Sequence, residues 1–182
     1  MIGKAQGQIA GLLATYDFKP FKTIAAIGGG RGHLLEAVLS AAPQATGVLF
    51  DQPHVVNDPV VKASARMKLQ GGDFFKDVLP VCDAYLIMQV IHDWSDDQAL
   101  EILKAIRRSA PPHTKLLLIE AIVPDNAHPS WIKMLDIGML TILNGKERTR
   151  PEFEKLLAAS GFKLERVMDV GLGTSILEAS CT

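Results

Sequence analysis

The chain has 182 residues, 48% of them hydrophobic and 21% charged, which fits one globular domain and excludes a disordered chain. With 19 Lys and Arg against 20 Asp and Glu, the formal charge is −1, and no basic run offers the stripe that nucleic-acid phosphates would need. The two cysteines, Cys82 and Cys181, have no metal-type spacing and fit a reducing compartment. The longest apolar stretches, Ala84–Ile91 and Leu116–Val123, fall far short of the ~20 residues of a membrane span, so the expectation is a cytoplasmic protein without nucleic-acid or membrane partners.

Taken in chain order, Ile9, Leu12 and Leu13 belong to a helix entering the domain. Thr23–Ile27 is a short apolar run ending in glycines, the first strand. Gly32–Ser40 carries Leu34, Leu35, Val38 and Leu39 at helical spacing, with Pro43 as a stop. Thr46–Phe50 is a second strand closed by Asp51, Val55–Ala65 a helix, Met67–Gln70 a weak third strand and Ala84–Gln89 the fourth. Ser95–Ser109 is a helix whose N-cap serine and two acids, Asp96 and Asp97, suit its positive end. Lys115–Glu120 is a fifth strand. Ser130–Leu143 and Arg150–Ser160 are helices, and Phe162–Val170 and Thr174–Ala179 end the chain as two strands with no helix between them. Alternating strands and helices with a closing strand pair predict an α/β fold: a doubly wound, mostly parallel sheet of about seven strands with an antiparallel C-terminal hairpin.

In such a sheet ligands bind beyond the carboxyl ends of the strands. Those ends carry the glycines 28–32, Asp51, Asp73, His92 and Glu120, a constellation that a random surface would not assemble. In Gly28-Gly29-Gly30-Arg31-Gly32 the missing Cβ atoms let a ligand approach the backbone. A dinucleotide fingerprint would place its third glycine at position 33, which is His33; the G-x-G-x-G form resembles methyltransferases instead. A plain tight turn is the competing explanation.

Asp51 ends a hydrophobic strand where a carboxylate can accept both ribose hydroxyls; alternatively it caps the helix opening at Pro53. Asp73, in Gly71-Gly72-Asp73-Phe74-Phe75, can accept from an adenine amine while Phe74 covers the ring, or can be a turn residue beside a core phenylalanine. His92 follows the fourth strand directly and is suited to general-base work near neutrality, against the plainer roles of a helix cap or a histidine bonded within the core. Glu120 interrupts an apolar strand, so it points into the crevice or is a buried charge in need of a partner. Glu147 sits in a charged loop of the kind that is usually solvated. No chemistry is assigned to His33, His54, His113 or His128, and no metal site is expected.

From Asp17 to Ala179 the chain resembles the C-terminal domain of small-molecule O-methyltransferases, typified by plant caffeate and flavonoid enzymes and bacterial polyketide ones. The matching stretches are the glycine loop, Gly47-Val48-Leu49-Phe50-Asp51-Gln52-Pro53-His54-Val55, Gly72-Asp73-Phe74-Phe75, His92-Asp93-Trp94-Ser95-Asp96 and Gly145-Lys146-Glu147-Arg148-Thr149. The resemblance implies a Rossmann-like class I methyltransferase fold over residues 17–182, with residues 1–16 a helical remnant of a linker from an N-terminal dimerisation domain. It also implies a homodimer for the longer parent and a monomer for this chain. The implied cofactor is S-adenosylmethionine, leaving as S-adenosylhomocysteine. Gly28, Gly29, Gly30, Gly32, Asp51, Gln52, Asp73, Phe74 and Gln89 would bind it. His92 would be the catalytic base, flanked by Glu120 and Glu147. Two positions depart from the family pattern: Ala26 replaces an Asp, and Met88 a Lys common in plant members.

The reaction expected is methyl transfer to a hydroxyl, best a phenol, of a small molecule. Trp131, Met134, Met139 and Leu143 of the Ser130–Leu143 helix would supply either an apolar wall or ordinary core packing. The rival readings are a cofactor-binding domain without methyl transfer, a relative with hydroxylase or decarboxylase chemistry, and an NAD-dependent oxidoreductase.

Overall fold

The computed structural model of the chain describes residues 2–58, 60–143 and 145–182. In chain order the elements are α1 (Ile2–Thr15), β1 (Thr23–Ile27), α2 (His33–Ala41), β2 (Thr46–Asp51), α3 (Pro53–Val56), β3 (Met67–Gly71), β4 (Ala84–Met88), a 3-10 turn (Ile91–Asp93), α4 (Asp96–Ser109), β5 (Lys115–Glu120), β6 (Ile122–Val123), α5 (Trp131–Leu143), β7 (Arg148–Thr149), α6 (Arg150–Ala159), β8 (Phe162–Gly171) and β9 (Thr174–Cys181). The main sheet has seven strands in the order β3-β2-β1-β4-β5-β9-β8. Its first five strands run parallel, while β9 is antiparallel to both β5 and β8. This is the doubly wound sheet with a closing hairpin that the alternation of elements predicts.

Successive side chains of a strand face opposite ways, and the sheet uses this to build two cores. Ala25, Ile27, Tyr85, Ile87, Leu116 and Leu118 face α4 and α6 with Ile102, Leu103 and Phe153. Ile24, Ala26, Leu86, Leu117 and Ile119 face α1 and α2 with Leu12, Leu35 and Val38. Each such fully buried aliphatic side chain contributes roughly 1.5–3 kcal/mol. Every residue of β1, β4 and β5 apart from the strand ends must be apolar, because helices cover both faces. Glu120, the last residue of β5, is a strand end that is nonetheless fully buried. By alternation it falls on the α4 side, at the carboxyl end of β5.

Three elements, α3, β6 and β7, differ from the sequence expectation. The helix expected over Val55–Ala65 is the single turn Pro53–Val56. Its start is earlier because Pro53 suits the first helical position, and its end is early because Pro59 has no amide hydrogen for a helix interior. The two-residue strands β6 and β7 were hidden in segments too short to show a period. They pair in parallel, Ile122 opposite Arg148 and Val123 opposite Thr149. The α4 cap matches expectation: the Ser95 hydroxyl accepts the Gln98 amide hydrogen at 3.4 Å. α1 packs on β8 and α2, with Leu12 buried in the core of the sheet.

Candidate active site

The strand order reverses between β1 and β4, and the crevice at their carboxyl ends is where the site lies. The glycine loop fills this edge. Gly28 and Gly29 both donate backbone N–H groups to the Phe50 carbonyl, at 2.9 and 3.4 Å. Gly30 (φ +56°) and Gly32 (φ +82°) occupy the left-handed region that side chains with a Cβ resist. Gly32 is the N-cap of α2, so the loop turns directly into a helix start. The Gly30 N–H donates to Asp51 Oδ2 at 2.8 Å, and Gln52 N–H donates to Asp51 Oδ1 at 2.7 Å. Asp51 therefore does not cap α3, whose N-cap is Gln52 with no side-chain bond.

Two cavities flank this Gly30–Asp51 bond. The larger, about 390 Å³, is lined by Asp51, Gln52, Pro53, Gly72, Asp73, Phe74, Phe75 and Trp94. The smaller, about 160 Å³, lies against Gly28, Gly29, Arg31, Met88 and Gln89, with Ala26, Leu34 and Leu86 giving an apolar floor. Ala26 and Met88, the two departures from the family pattern, thus share one wall. Gln89 enters the site with a positive φ of 53°, a strained conformation of the kind that collects at functional edges. Asp73 Oδ1 accepts the Phe75 N–H at 2.9 Å and Oδ2 pairs with Lys76 at 3.0 Å; the Phe75 amide and then Lys76 hold its carboxyl below the ordinary range.

Sequence reasoning gave no role here to Trp94. Its ring meets Phe74 and Phe75 edge-on, at centroid distances of 5.8 and 5.0 Å, and forms part of the cavity wall. These residues fit an adenosyl group. The backbone cradle has no Cβ on the open side of Gly30, Asp51 keeps a free lone pair on each oxygen, and the aromatic residues Phe74, Phe75 and Trp94 line the larger cavity.

His92 lies on the 3-10 turn that follows β4, and two carboxylates converge on its Nδ1. Glu147 Oε1 is 2.9 Å away and Glu120 Oε2 3.7 Å, while Asp93 Oδ1 stands 3.4 Å from Nε2. The His92 side chain is 15% exposed; those of Glu120 and Glu147 are fully buried. Glu120 Oε1 accepts the N–H groups of Val90 and Ile91 at 3.1 and 2.9 Å, which fixes the carboxylate under the turn. The other oxygens, Glu120 Oε2 and Glu147 Oε2, make no hydrogen bond, so the imidazole is the group that balances them. Burial lowers the affinity of His92 for its proton. The Glu147 bond and the charges of Glu120, Glu147 and Asp93 outweigh burial and lift its pKa to about 9. Burial pushes Glu120 up to about 7 against the pull of His92.

The charged loop around Glu147 is not solvated. The β6–β7 pairing draws it inward, where Arg148 is fully buried and the Glu147 N–H donates to Asp136 Oδ1 of α5 at 2.9 Å. α5 packs on β6 and on the turn that carries His92. Its Met134 is 71% exposed, so core packing does not explain that residue; the Leu143 side chain lies outside the described residues. His113, expected to be idle, bonds Asp83 at 3.1 Å far from this edge. No cluster of potential metal ligands occurs among the described residues, and no described helix is long and apolar enough to cross a membrane.

Residues 4–163 match the O-methyltransferase domain family, and the chain belongs to it. A phenazine O-methyltransferase of Lysobacter antibioticus is 46% identical over 169 residues, covering 90% of this chain and 50% of that protein. The calicheamicin-biosynthesis methyltransferase CalO1, solved in its SAH-bound form, superposes with a TM-score of 0.87 at 34% identity, covering 100% of this chain and 54% of that one. Human N-acetylserotonin methyltransferase in complex with SAM gives a TM-score of 0.89 at 29% identity, covering 95% and 51%. The chain spans about half the length of the relatives it matches.

Proposed function

We propose that this domain holds S-adenosylmethionine across the two cavities and serves methyl transfer to a phenolic hydroxyl of a small molecule, with His92 as the base. When bound, the cofactor supplies an electrophilic methyl group on its sulfonium. The acceptor oxygen forms the new bond to that methyl carbon, the carbon–sulfur bond breaks, and the phenolic proton passes to His92 Nε2. The observation that carries this reading is the pairing at Nδ1. Glu147 Oε1 at 2.9 Å accepts the Nδ1–H, so the neutral tautomer keeps its Nε2 lone pair for a substrate proton. Glu120 and Glu147 then stabilise the imidazolium that forms.

The lifted pKa narrows the acceptor. A base of about 9 is matched to a phenol near 10 and far from an aliphatic alcohol. It also fixes the pH profile, because the free protein must lose the His92 proton before it can accept another. The acidic limb of kcat/KM should therefore lie near 9 rather than near the 6.5 of an ordinary imidazole. Glu147→Gln should move it down. His92→Ala should lower turnover by ~10²–10⁴ while leaving S-adenosylhomocysteine affinity nearly intact, and the loss should shrink for acidic phenols at high pH. Single-turnover rates across pH test this; full activity of His92→Ala on a weakly acidic hydroxyl would show that the base lies elsewhere.

A further inference from the structure

Arg148 is 0% exposed, and its guanidinium stands between the two chain segments that meet at the catalytic pair. Nη1 donates to the Ile91 carbonyl at 3.0 Å and to the Lys146 carbonyl at 3.2 Å; Nη2 donates to the Trp94 carbonyl at 2.9 Å; Nε pairs with Asp96 Oδ1 at 2.9 Å. Ile91 and Trp94 bracket His92, and Lys146 and Arg148 bracket Glu147. A further bond, Lys146 N–H to the His92 carbonyl at 2.8 Å, closes the same junction. The two loops are 55 residues apart in sequence and share no strand. Arg148 makes the most contacts across this junction, beside the Lys146–His92 backbone bond and a Lys146 Nζ–Asp96 Oδ2 contact at 3.3 Å, and it also takes part in the short β6–β7 pairing.

We propose that Arg148 is the positioning residue of the site: it fixes the turn carrying His92 against the segment carrying Glu147, and so sets the imidazole–carboxylate bond. This rests on the reading of His92 as the base. The chemistry requires an arginine. Four acceptors reached by three separate nitrogens match the rigid guanidinium fork, whereas a lysine has a single nitrogen on a flexible stem and cannot reach carbonyls on both sides of His92 together. A plain structural role would also bury this cation, but it would not place all three of its carbonyl partners within two residues of His92 or Glu147.

The discriminating signal is the downfield proton resonance of His92 Nδ1–H, which reports the Glu147 bond directly and does not depend on turnover. Arg148→Lys keeps the charge and removes the fork, and Arg148→Gln removes the buried charge in case the lysine variant does not fold. In whichever folds, the resonance should broaden or vanish through faster solvent exchange, and S-adenosylhomocysteine affinity should stay within about twofold. Methyl transfer should fall roughly 10–100-fold, as expected for an ångström-scale misplacement. Phe153→Leu, a core change in α6, serves as the control for general destabilisation and should keep the resonance. An unshifted, protected Nδ1–H resonance in a folded Arg148 variant would overturn the proposal. A wild type that shows the resonance while its His92→Ala variant transfers methyl groups at the full rate would instead contradict the base reading and leave the positioning role standing.

Discussion

At the scale of single residues, the site is a buried cation between two buried acids, and this makes its stability depend on pH in a defined direction. His92 is lifted from 6.5 to about 9, so its contribution is fully present below about 6.5 and is lost as pH rises through about 9. Glu120 is also lifted, from 4.5 to about 7, so it works with the same sign in a lower window. The depressed carboxyls of Asp73, Asp83, Asp96 and Glu152 act only on the acid side of these windows. Thermal unfolding midpoints should therefore decline as pH rises from about 6.5 to about 9, and His92→Ala should flatten that decline. An unchanged slope in the variant would place the titrating group elsewhere. Asp51 and Glu120 were legible in the sequence because each terminates an apolar strand, and His92 because it lies on the turn that follows one; strand ends converge. Arg148 and the burial of Glu147 were not. A Lys-Glu-Arg run looks solvated until a two-residue strand pair carries it inside, and nothing local in the sequence encodes that pairing.

At the scale of elements, the glycine loop shows how a position can be free of contacts and still restricted. A Cβ on Gly30 would meet no atom within 4 Å, yet the backbone there is at φ +56°. Gly30→Ala should thus lower stability by only about 1–2 kcal/mol, the strain of a left-handed alanine. It should weaken S-adenosylhomocysteine binding more markedly, since the new methyl group stands on the open side of the cradle. Gly29→Ala should do the reverse damage: its Cβ would come within 2.4 Å of Leu49 Cδ1 and 2.9 Å of Ala26 Cβ, in the core beneath the loop. Denaturant unfolding and calorimetry on the same two variants separate the effects, and equal losses of stability would contradict the assignment. Long elements with a clear period were readable from sequence, as β5 and α4 show. α3 was not, because Val55, Val56, Val60 and Val61 suggest a helical face while Pro59 forbids the helix between them.

At the scale of the whole molecule, one sheet edge brings together the glycine loop after β1, the Asp51 carboxylate at the end of β2, aromatic side chains from the loops after β3 and β4, and His92 beside Glu120 at the end of β5 and Glu147 just before β7. Each part is unremarkable alone; the switch in strand order places them beside one another. The central claim is that this edge binds the adenosyl cofactor through Asp51 and the glycine loop. Isothermal titration of the 182-residue chain with S-adenosylhomocysteine, beside the same titration with NAD and with Asp51→Ala, tests it most directly. Saturable one-to-one binding of S-adenosylhomocysteine is expected, with clear weakening in Asp51→Ala as a charge-assisted pair of contacts is lost, and no heat with NAD. Binding of NAD alone, or S-adenosylhomocysteine affinity unaffected by Asp51→Ala, would contradict it.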